Sequence, residues 1–376
     1  MQELKRIINY KRIILLLIAV TVNVVFFLYD NKPVMDEDII NKENVAHETY
    51  IKNYHEEVNA IIDNADKLKK YSIFNKAGSF SYANILQTAR DFERVKNVIL
   101  PEDEYKGVQA YTTYYYQYFF TMLVMMFVIY DMFAQRDNGM WSITYSCANG
   151  RIMYAIKQTG VIVVTGAFTH TLIYWSTFIA AMLQRGGVRD LVNPVQTIET
   201  FDKFTYPWSK IKYVTVLYLI SMVCIVALCI TIWGVFVMFR NRVYALVTML
   251  IFAAVEQFIY SHIDIHSVWN GLHYINIINI ININATFSSY RNWGVGTYVF
   301  PVFSVVLFVH IICAGVIGYI AINVSASMKP YKNTTFIKRF MDLWVIPAIE
   351  NENVRKRTID ELPQSGSGST ITTTEP

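Results

Sequence analysis

The stretch "YVTVLYLISMVCIVALCITIWGVFVMF", residues 213–239, contains no charged side chain. A helix of about 20 mostly apolar residues is long enough to cross the hydrocarbon core of a bilayer. The whole chain has 376 residues, of which 54% are hydrophobic and 15% aromatic. This composition predicts an integral membrane protein in which residues 213–239 form one transmembrane helix.

Five more segments are apolar enough to cross a membrane. We therefore predict an all-α membrane protein with six transmembrane helices and a small helical extracellular domain between helices one and two. The predicted spans are residues 13–29, 111–134, 152–184, 213–239, 243–262 and 298–324. The first span follows basic residues, as in a signal peptide, but no small-residue cleavage site comes after it, so it is predicted to be a retained anchor.

The segments outside the spans differ in character. They are an N-terminal interfacial helix at 1–12, an extracellular helical domain at 30–110, a cytoplasmic coupling stretch at 135–151, an external loop at 185–212, an external or re-entrant segment at 263–297, and a cytoplasmic tail at 325–376 with a disordered end. Within the extracellular domain, apolar residues recur at offsets of three and four, which predicts amphipathic helices. The polar, Ser- and Thr-rich end of the tail is typical of disorder.

Lysine and arginine residues are concentrated in loops that lie on one side of the membrane if six helices alternate. Because basic loops are retained in the cytoplasm, both termini are predicted to be cytoplasmic in a bacterial plasma membrane. Five basic residues in the external loop argue against this orientation. The net charge of +4 comes largely from the loops and does not imply a nucleic-acid partner.

The sequence contains no Gly-x-x-x-x-Gly-Lys-Ser/Thr phosphate loop, no His-Glu-x-x-His zinc motif and no Gly-x-Ser-x-Gly nucleophile motif. We therefore expect no catalytic residue, cofactor or metal on this chain. His262, Asp264 and His266, with His273 nearby, could be a metal cluster. A helix would bring the first and third to one face and a strand would align all three, so this stays open, and a water-exposed interface is favoured.

Glu256, followed by Gln257, is an ionisable residue inside the span 243–262, and such residues are usually functional. The carboxylate suits a proton or cation site, a contact to a neighbouring helix, or an external gate. A contact or gate is favoured, because a proton relay needs a second buried charge in another span. Asn276, Asn279 and Asn282 recur at every third residue among isoleucines, which predicts a polar stripe on a helix, with an edge strand as the alternative. These five residues are predicted to line a pathway or gate.

The stretch "RDNGMWSITYSCANGR", residues 136–151, joins two apolar segments on the predicted cytoplasmic side. Asp137 or Asn138 can cap a short helix, and Gly150 can end it. The bulky residues between them can contact the membrane surface or a partner. The pattern predicts a short helix that projects from the membrane surface and on which a cytoplasmic partner could act.

This stretch resembles the segment after helix two in the permease subunits of type 2 exporters of the ATP-binding-cassette superfamily. Gln135 and Met140 depart from the family pattern. The positions that match it are Arg136, Gly139, Ser146, Gly150, Arg151 and Lys157. The resemblance implies a coupling helix that docks onto an ATPase, formed or bounded by Arg136, Gly139, Trp141, Ile143, Tyr145, Gly150, Arg151 and Lys157.

The resemblance also implies a function and partners. The chain would be the membrane-spanning permease subunit of an ATP-driven exporter for an amphipathic or hydrophobic substrate, with a peptide or bacteriocin favoured over a lipid or drug. It would not be an enzyme, since ATP and Mg²⁺ would bind a separate ATPase subunit, and a second permease copy or paralogue would complete the pathway in the lipid bilayer. Two alternatives are an ion-gradient-driven carrier that uses Glu256 and a non-transporting membrane sensor or scaffold.

Overall fold

The computed structural model describes residues 10–33, 36–71, 78–101, 106–134, 150–239, 241–263 and 269–327. The helices are α1 (Tyr10–Asp30), α2 (Glu37–Leu68), α3 (Phe80–Glu93), α4 (Gly107–Thr113), α5 (Tyr116–Met132), α6 (Gly150–Arg185), α7 (Lys210–Met238), α8 (Arg242–His262), α9 (Asn270–Ile275), α10 (Ile278–Ile281), α11 (Ile283–Ser288) and α12 (Val302–Ser327). Two short strands, β1 (Asn292–Val295) and β2 (Tyr298–Pro301), precede α12. Three 3-10 turns, Arg189–Val192, Val195–Thr197 and Glu199–Phe201, connect α6 to α7.

Within the described residues, five helices are long and apolar enough to cross a membrane: α1, α6, α7, α8 and α12. The predicted span 111–134 is divided between α4 and α5, which has only 17 residues. The division falls at Tyr114, whose backbone is extended. Aromatic and β-branched residues lose side-chain freedom in a helix, so the run "TTYYY" at 112–116 favours an interruption there.

Helix α7 lies at the centre of the bundle and packs against α5, α6, α8 and α12. A Cβ atom on Gly234 would collide with the side chain of Ile317 in α12, so the missing side chain lets these two helices approach closely. Helix α6 has 36 residues, which corresponds to a length of about 54 Å at 1.5 Å per residue. It packs against α1, α4, α5, α7 and α12.

Helices α2 and α3 occupy the segment predicted as a helical extracellular domain, and they pack against each other. The Asp36 side chain accepts a hydrogen bond from the backbone N–H of Asp38 at 3.0 Å, and Ser79 accepts one from Tyr82 at 3.2 Å. These contacts satisfy free amide groups at the two helix N-termini. The shared apolar core consists of Tyr54, Val58, Phe92 and Val95.

The segment around the three asparagines is not one continuous helix. It forms α9, α10 and α11, followed by an antiparallel hairpin in which Asn292 pairs with Pro301 and Val295 with Tyr298. The hairpin turn contains Gly296 at a φ of 64°, a backbone conformation that glycine adopts without strain. Asn276 ends α9, and its side-chain Oδ1 accepts a hydrogen bond from the N–H of Ile278 at 2.8 Å. An asparagine side chain that bonds the backbone in this way competes with helix propagation, which explains the break.

Candidate functional site

The predicted coupling residues are only partly described by the structure. Arg136, Gly139, Trp141, Ile143 and Tyr145 lie outside the described residues. Gly150 and Arg151 are the first two residues of α6, and Lys157 is exposed on the same helix. Nothing in the described geometry brings this set together, and its role stays a prediction.

Two of the five predicted gate residues, Glu256 and Asn276, meet at a junction between α8 and the start of α10. The side-chain Nδ2 of Asn276 donates to the backbone oxygen of Glu256 at 2.7 Å. In return, the carboxylate Oε2 of Glu256 accepts a hydrogen bond from the backbone N–H of Ile277 at 3.1 Å. This reciprocal pair fixes the broken segment against α8, whereas Gln257 is exposed and contributes nothing to the junction.

Asn279 extends the junction into the interior. Its side chain is buried, and Nδ2 donates to the backbone oxygens of His273 at 2.6 Å and Tyr274 at 3.1 Å. Asn282 lies between α10 and α11, where its backbone N–H donates to Ile278 at 2.7 Å. The side chains of Asn276 and Asn279 therefore satisfy backbone groups of a broken helix instead of forming a continuous polar stripe.

The described residues offer no metal site at the histidines. No group of three or more His, Cys, Asp or Glu side chains is close enough to hold a metal ion in the part of the chain that the structure describes. His262 contacts the backbone oxygen of Phe258 at 3.0 Å, and His273 stacks on Tyr260 with ring centroids 4.5 Å apart. Asp264 and His266 lie outside the described residues.

A buried polar cluster at the centre of the bundle was not predicted from the sequence. The Nε2 of His170 in α6 lies 2.8 Å from the hydroxyl oxygen of Ser221 in α7. The histidine ring stacks on Tyr118 of α5 and on Tyr218 of α7, with centroids 5.9 Å apart in both pairs. Tyr174, one turn further along α6, donates its hydroxyl to the backbone oxygen of Val214 at 2.7 Å. The sequence feature that could have indicated this cluster is the tyrosine-rich run "YTTYYYQYFF" at 111–120. An aromatic belt at the membrane surface explains that run equally well.

A second polar network joins α3 to the hairpin region. The Tyr290 hydroxyl donates to the Asp91 carboxylate at 3.1 Å. Burial, with the nearby Asp91 charge, raises the pKa of Tyr290 to about 12, so the hydroxyl keeps its proton at neutral pH. A cavity of about 370 Å³ opens beside this network and is lined by Phe80, Tyr274, Asn292, Trp293, Gly294, Gly296 and Val302.

Comparison with known proteins finds its match at the C-terminal end of the chain. Residues 308–376 match the family model described as "Stage IV sporulation protein A, ATPase domain". Stage IV sporulation protein A of Bacillus anthracis is 56% identical over 59 residues, and those of Clostridioides difficile (strain 630) and Bacillus subtilis (strain 168) are 52% identical over 59 residues. The matched region is 16% of this chain and 12% of each relative, so the chain spans about an eighth of the length of these relatives. No solved structure matches the chain.

This finding overturns the resemblance to type 2 ABC permeases. The permease assignment rested on a few Gly, Arg and Lys positions between 136 and 157 and on the number of apolar segments, and such short patterns recur by chance. An identity of 56% over 59 residues is far more specific. The exporter function, the peptide cargo, the second permease copy and the separate ATPase subunit are therefore wrong, and the carrier and sensor alternatives gain no support.

Two further expectations are also wrong. The chain was expected to leave ATP hydrolysis to another polypeptide, but its own C-terminal residues match a family model described as an ATPase domain. The bacterial plasma membrane, with both termini in the cytoplasm, was expected from the basic loops, and this localisation is wrong, because the relatives are sporulation proteins. The matched residues 308–376 contain no Gly-Lys pair, which the Gly-x-x-x-x-Gly-Lys-Ser/Thr phosphate loop requires.

Proposed function

We propose that this chain is a membrane-embedded sporulation protein, in which the apolar helices hold a C-terminal segment that acts in sporulation. The similarity of that segment to Stage IV sporulation protein A from three bacteria carries the proposal. The matched residues begin within α12 and continue to the end of the chain.

The membrane part of the proposal rests on apolar surface. Only 11% of the residues in the most apolar stretch of α1, and likewise of α8, are buried within the protein. Val247, Ile251 and Val255 of α8 are 45%, 60% and 48% exposed. A continuous apolar face of this size is unfavourable in water and suits hydrocarbon.

The proposed fold remains an all-α membrane bundle with six crossings. Helix α5, whose 17 residues extend about 26 Å, would be the sixth crossing together with the preceding α4. This length is close to the roughly 30 Å of a hydrocarbon core.

Genetic complementation in the native host tests the sporulation role. The gene is deleted and replaced by the full-length form or by a variant in which residues 329–376 become a Gly/Ser linker of equal length. We expect the linker variant to reduce the count of heat-resistant spores at least tenfold while it remains in the membrane fraction. Equal spore counts for the two forms, or a host that forms no spores, would overturn the proposal.

Nucleotide binding by the C-terminal segment is a second candidate function, favoured by the description of the matching family model as an ATPase domain. The test is equilibrium dialysis of labelled ATP with Mg²⁺ against the full chain in lipid nanodiscs, with the linker variant as the matched control. Binding that requires residues 329–376 would support a nucleotide site. Equal binding by both forms would eliminate the nucleotide site and leave the sporulation role to the complementation test.

A further inference from the structure

The short helix α9 exposes apolar side chains and buries polar ones. Trp269, directly before the helix, Leu272 and Ile275 recur at every third residue, and their exposed fractions are 67%, 50% and 39%. Residues three apart on a helix lie on the same side of it. His273 and Asn276, by contrast, are buried. A helix at the surface of a water-soluble protein has the opposite arrangement, with its apolar side chains turned inward.

The polar side chains that α9 and its neighbours bury bond to the protein itself. Asn276 donates its Nδ2 to the backbone oxygen of Glu256 at 2.7 Å, and Asn279 donates to the backbone oxygens of His273 and Tyr274. In hydrocarbon, an interrupted helix is tolerated only where neighbouring protein groups satisfy its backbone. These contacts meet that requirement at the break after α9.

The position of α9 along α8 gives its depth. The ring of His273 stacks on Tyr260, two residues before the end of α8, with centroids 4.5 Å apart. Asn276 bonds to Glu256, which lies six residues before that end, or about 9 Å along the helix at 1.5 Å per residue. From His273 to Asn276 the chain therefore runs back along α8, towards the middle of that helix. Phe258 of α8, between these two levels, is 61% exposed, so the apolar surface of α8 extends to the level of α9.

We propose that α9 re-enters the bilayer beside the C-terminal end of α8 and that its outer face, formed by Trp269, Leu272 and Ile275, contacts lipid. This arrangement rests on the proposed insertion of the bundle in a membrane, and it selects the re-entrant form of the segment 263–297 over the external one. Lipid suits the face because all three side chains are apolar and because the exposed surface of α8 continues alongside it. Trp269 would lie nearest the headgroups, the level at which tryptophan is enriched in membrane proteins.

Photocrosslinking from single positions tests the lipid contact. The photoreactive residue p-benzoylphenylalanine replaces Leu272 in the full chain, which is reconstituted in nanodiscs of phosphatidylethanolamine and phosphatidylglycerol, and mass spectrometry detects adducts with lipid. The same replacement at Ile251, exposed on α8, is the control for membrane insertion. Ile99, which follows α3 and is 83% exposed, is the control for an apolar position outside the bundle. We expect lipid adducts at Leu272 and Ile251, and about tenfold fewer at Ile99.

The two controls separate this proposal from the proposed function. Adducts at Ile251 with no more at Leu272 than at Ile99 would overturn the lipid contact of α9 and leave the membrane-embedded bundle standing. Crosslinks from Leu272 to protein instead of lipid would overturn it in the same way. A lack of lipid adducts at Ile251 would overturn membrane insertion and, with it, the re-entry of α9.

Tryptophan fluorescence tests the depth. Subtracting the emission of the Trp269→Phe variant from that of the unmodified chain isolates the signal of Trp269, which is then measured with lipids brominated near the headgroup or near the chain end. We expect the first lipid to quench this signal about twofold more than the second. Quenching by neither lipid would contradict the contact.

Equal or stronger quenching by bromine near the chain end would contradict the placement of Trp269 at the headgroups.

Discussion

Helices α7 and α8 are neighbours in sequence and both are strongly apolar, yet α7 is mostly buried and α8 is mostly exposed. In the most apolar stretch of α7, 61% of the residues are buried, against 11% in α8. Helix α1 is as peripheral as α8, also at 11%. Apolar composition therefore identifies helices that can enter a membrane, but it does not identify the helix that the others surround.

The two kinds of helix are also held by different forces. Helix α7 is fixed by close packing, with Trp233, Phe236 and Val237 almost fully buried. Helices α1 and α8 are fixed at polar points: Asn23 donates to Thr177 at 2.7 Å, and Glu256 accepts from the backbone of Ile277. In hydrocarbon an apolar face gains little by meeting another protein surface, so polar contacts and tight packing determine where a helix sits.

The largest effect should come from the packed centre. Trp233 is fully buried in α7, and its Nε1 donates to the Oε1 of Gln158 at 3.3 Å. We expect Trp233→Ala to lower the free energy of unfolding by about 3–5 kcal/mol, because it leaves a cavity. Denaturant titration in lipid micelles measures this. The matched control Leu250→Ala, at a residue of α8 that is 52% exposed, should change the free energy by no more than about 0.5 kcal/mol; equal losses would show that α7 is not the packed centre.

The next largest effect should come from the Glu256 junction. Removing the carboxylate with Glu256→Ala leaves the N–H of Ile277 without its acceptor, which should cost about 1–3 kcal/mol. Glu256→Gln keeps an acceptor oxygen and should restore most of the stability. Gln257→Ala, one residue away and exposed, is the control. If both alanine variants behave alike, α8 is not fixed by this junction.

Asn23 should contribute less than Glu256. It is fully buried in α1, donates to Thr177 at 2.7 Å and accepts from the Tyr114 hydroxyl at 3.0 Å. Interhelical hydrogen bonds in membranes contribute about 0.6–1.7 kcal/mol each, and we expect Asn23→Ala to lose about that amount. A double-mutant cycle with Thr177→Ala isolates the pair. A coupling energy of zero would mean that the Asn23–Thr177 hydrogen bond does not stabilise the position of α1.

The smallest effect is expected at the other end of α1. Arg12 contacts the carboxylate of Asp131 at 2.5 Å, and the Asp131 side chain is 58% exposed. Because water screens such pairs, Arg12→Gln should change the unfolding free energy by about 0–1 kcal/mol. The difference should shrink further when the salt concentration is raised. A loss that is large and independent of salt would place this pair among the anchors of α1.

Five of the six apolar segments predicted from the sequence form long apolar helices, whereas 111–134 divides into α4 and α5, and the crossing of a membrane stays a prediction. The sequence grouped Glu256 and Asn276 in one predicted pathway or gate; the structure brings the two into contact, and the gate stays a prediction. The sequence did not predict that the asparagines break the segment into three helices. That outcome depends on side chains bonding the local backbone, and alternation at every third residue is compatible with either result.

Sequence patterns predicted neither the central cluster nor the C-terminal similarity, for two different reasons. Tyr111 and Tyr118 have the composition of an aromatic belt, and only the packing of α4 and α5 against α6 and α7 places them in the interior. The match at 308–376 begins within the apolar helix α12 and continues into a polar stretch, and it depends on residue-by-residue identity. Composition alone predicts a tail there, and only the comparison with relatives identifies the similarity to sporulation proteins.

The length of α6 has a mechanical consequence. A rod of 36 residues is about 54 Å long, whereas the hydrocarbon core is about 30 Å thick. If α6 crosses a membrane as proposed, it either tilts strongly or extends beyond the hydrocarbon core, and in both cases its two ends are further apart than the two faces of the core. Because Arg185 at one end donates to the backbone oxygens of Asn31 and Lys32, that end is pinned to the chain that leaves α1. If the Arg185 end stays fixed, a change in tilt displaces the opposite end of α6, at Gly150, by the largest distance.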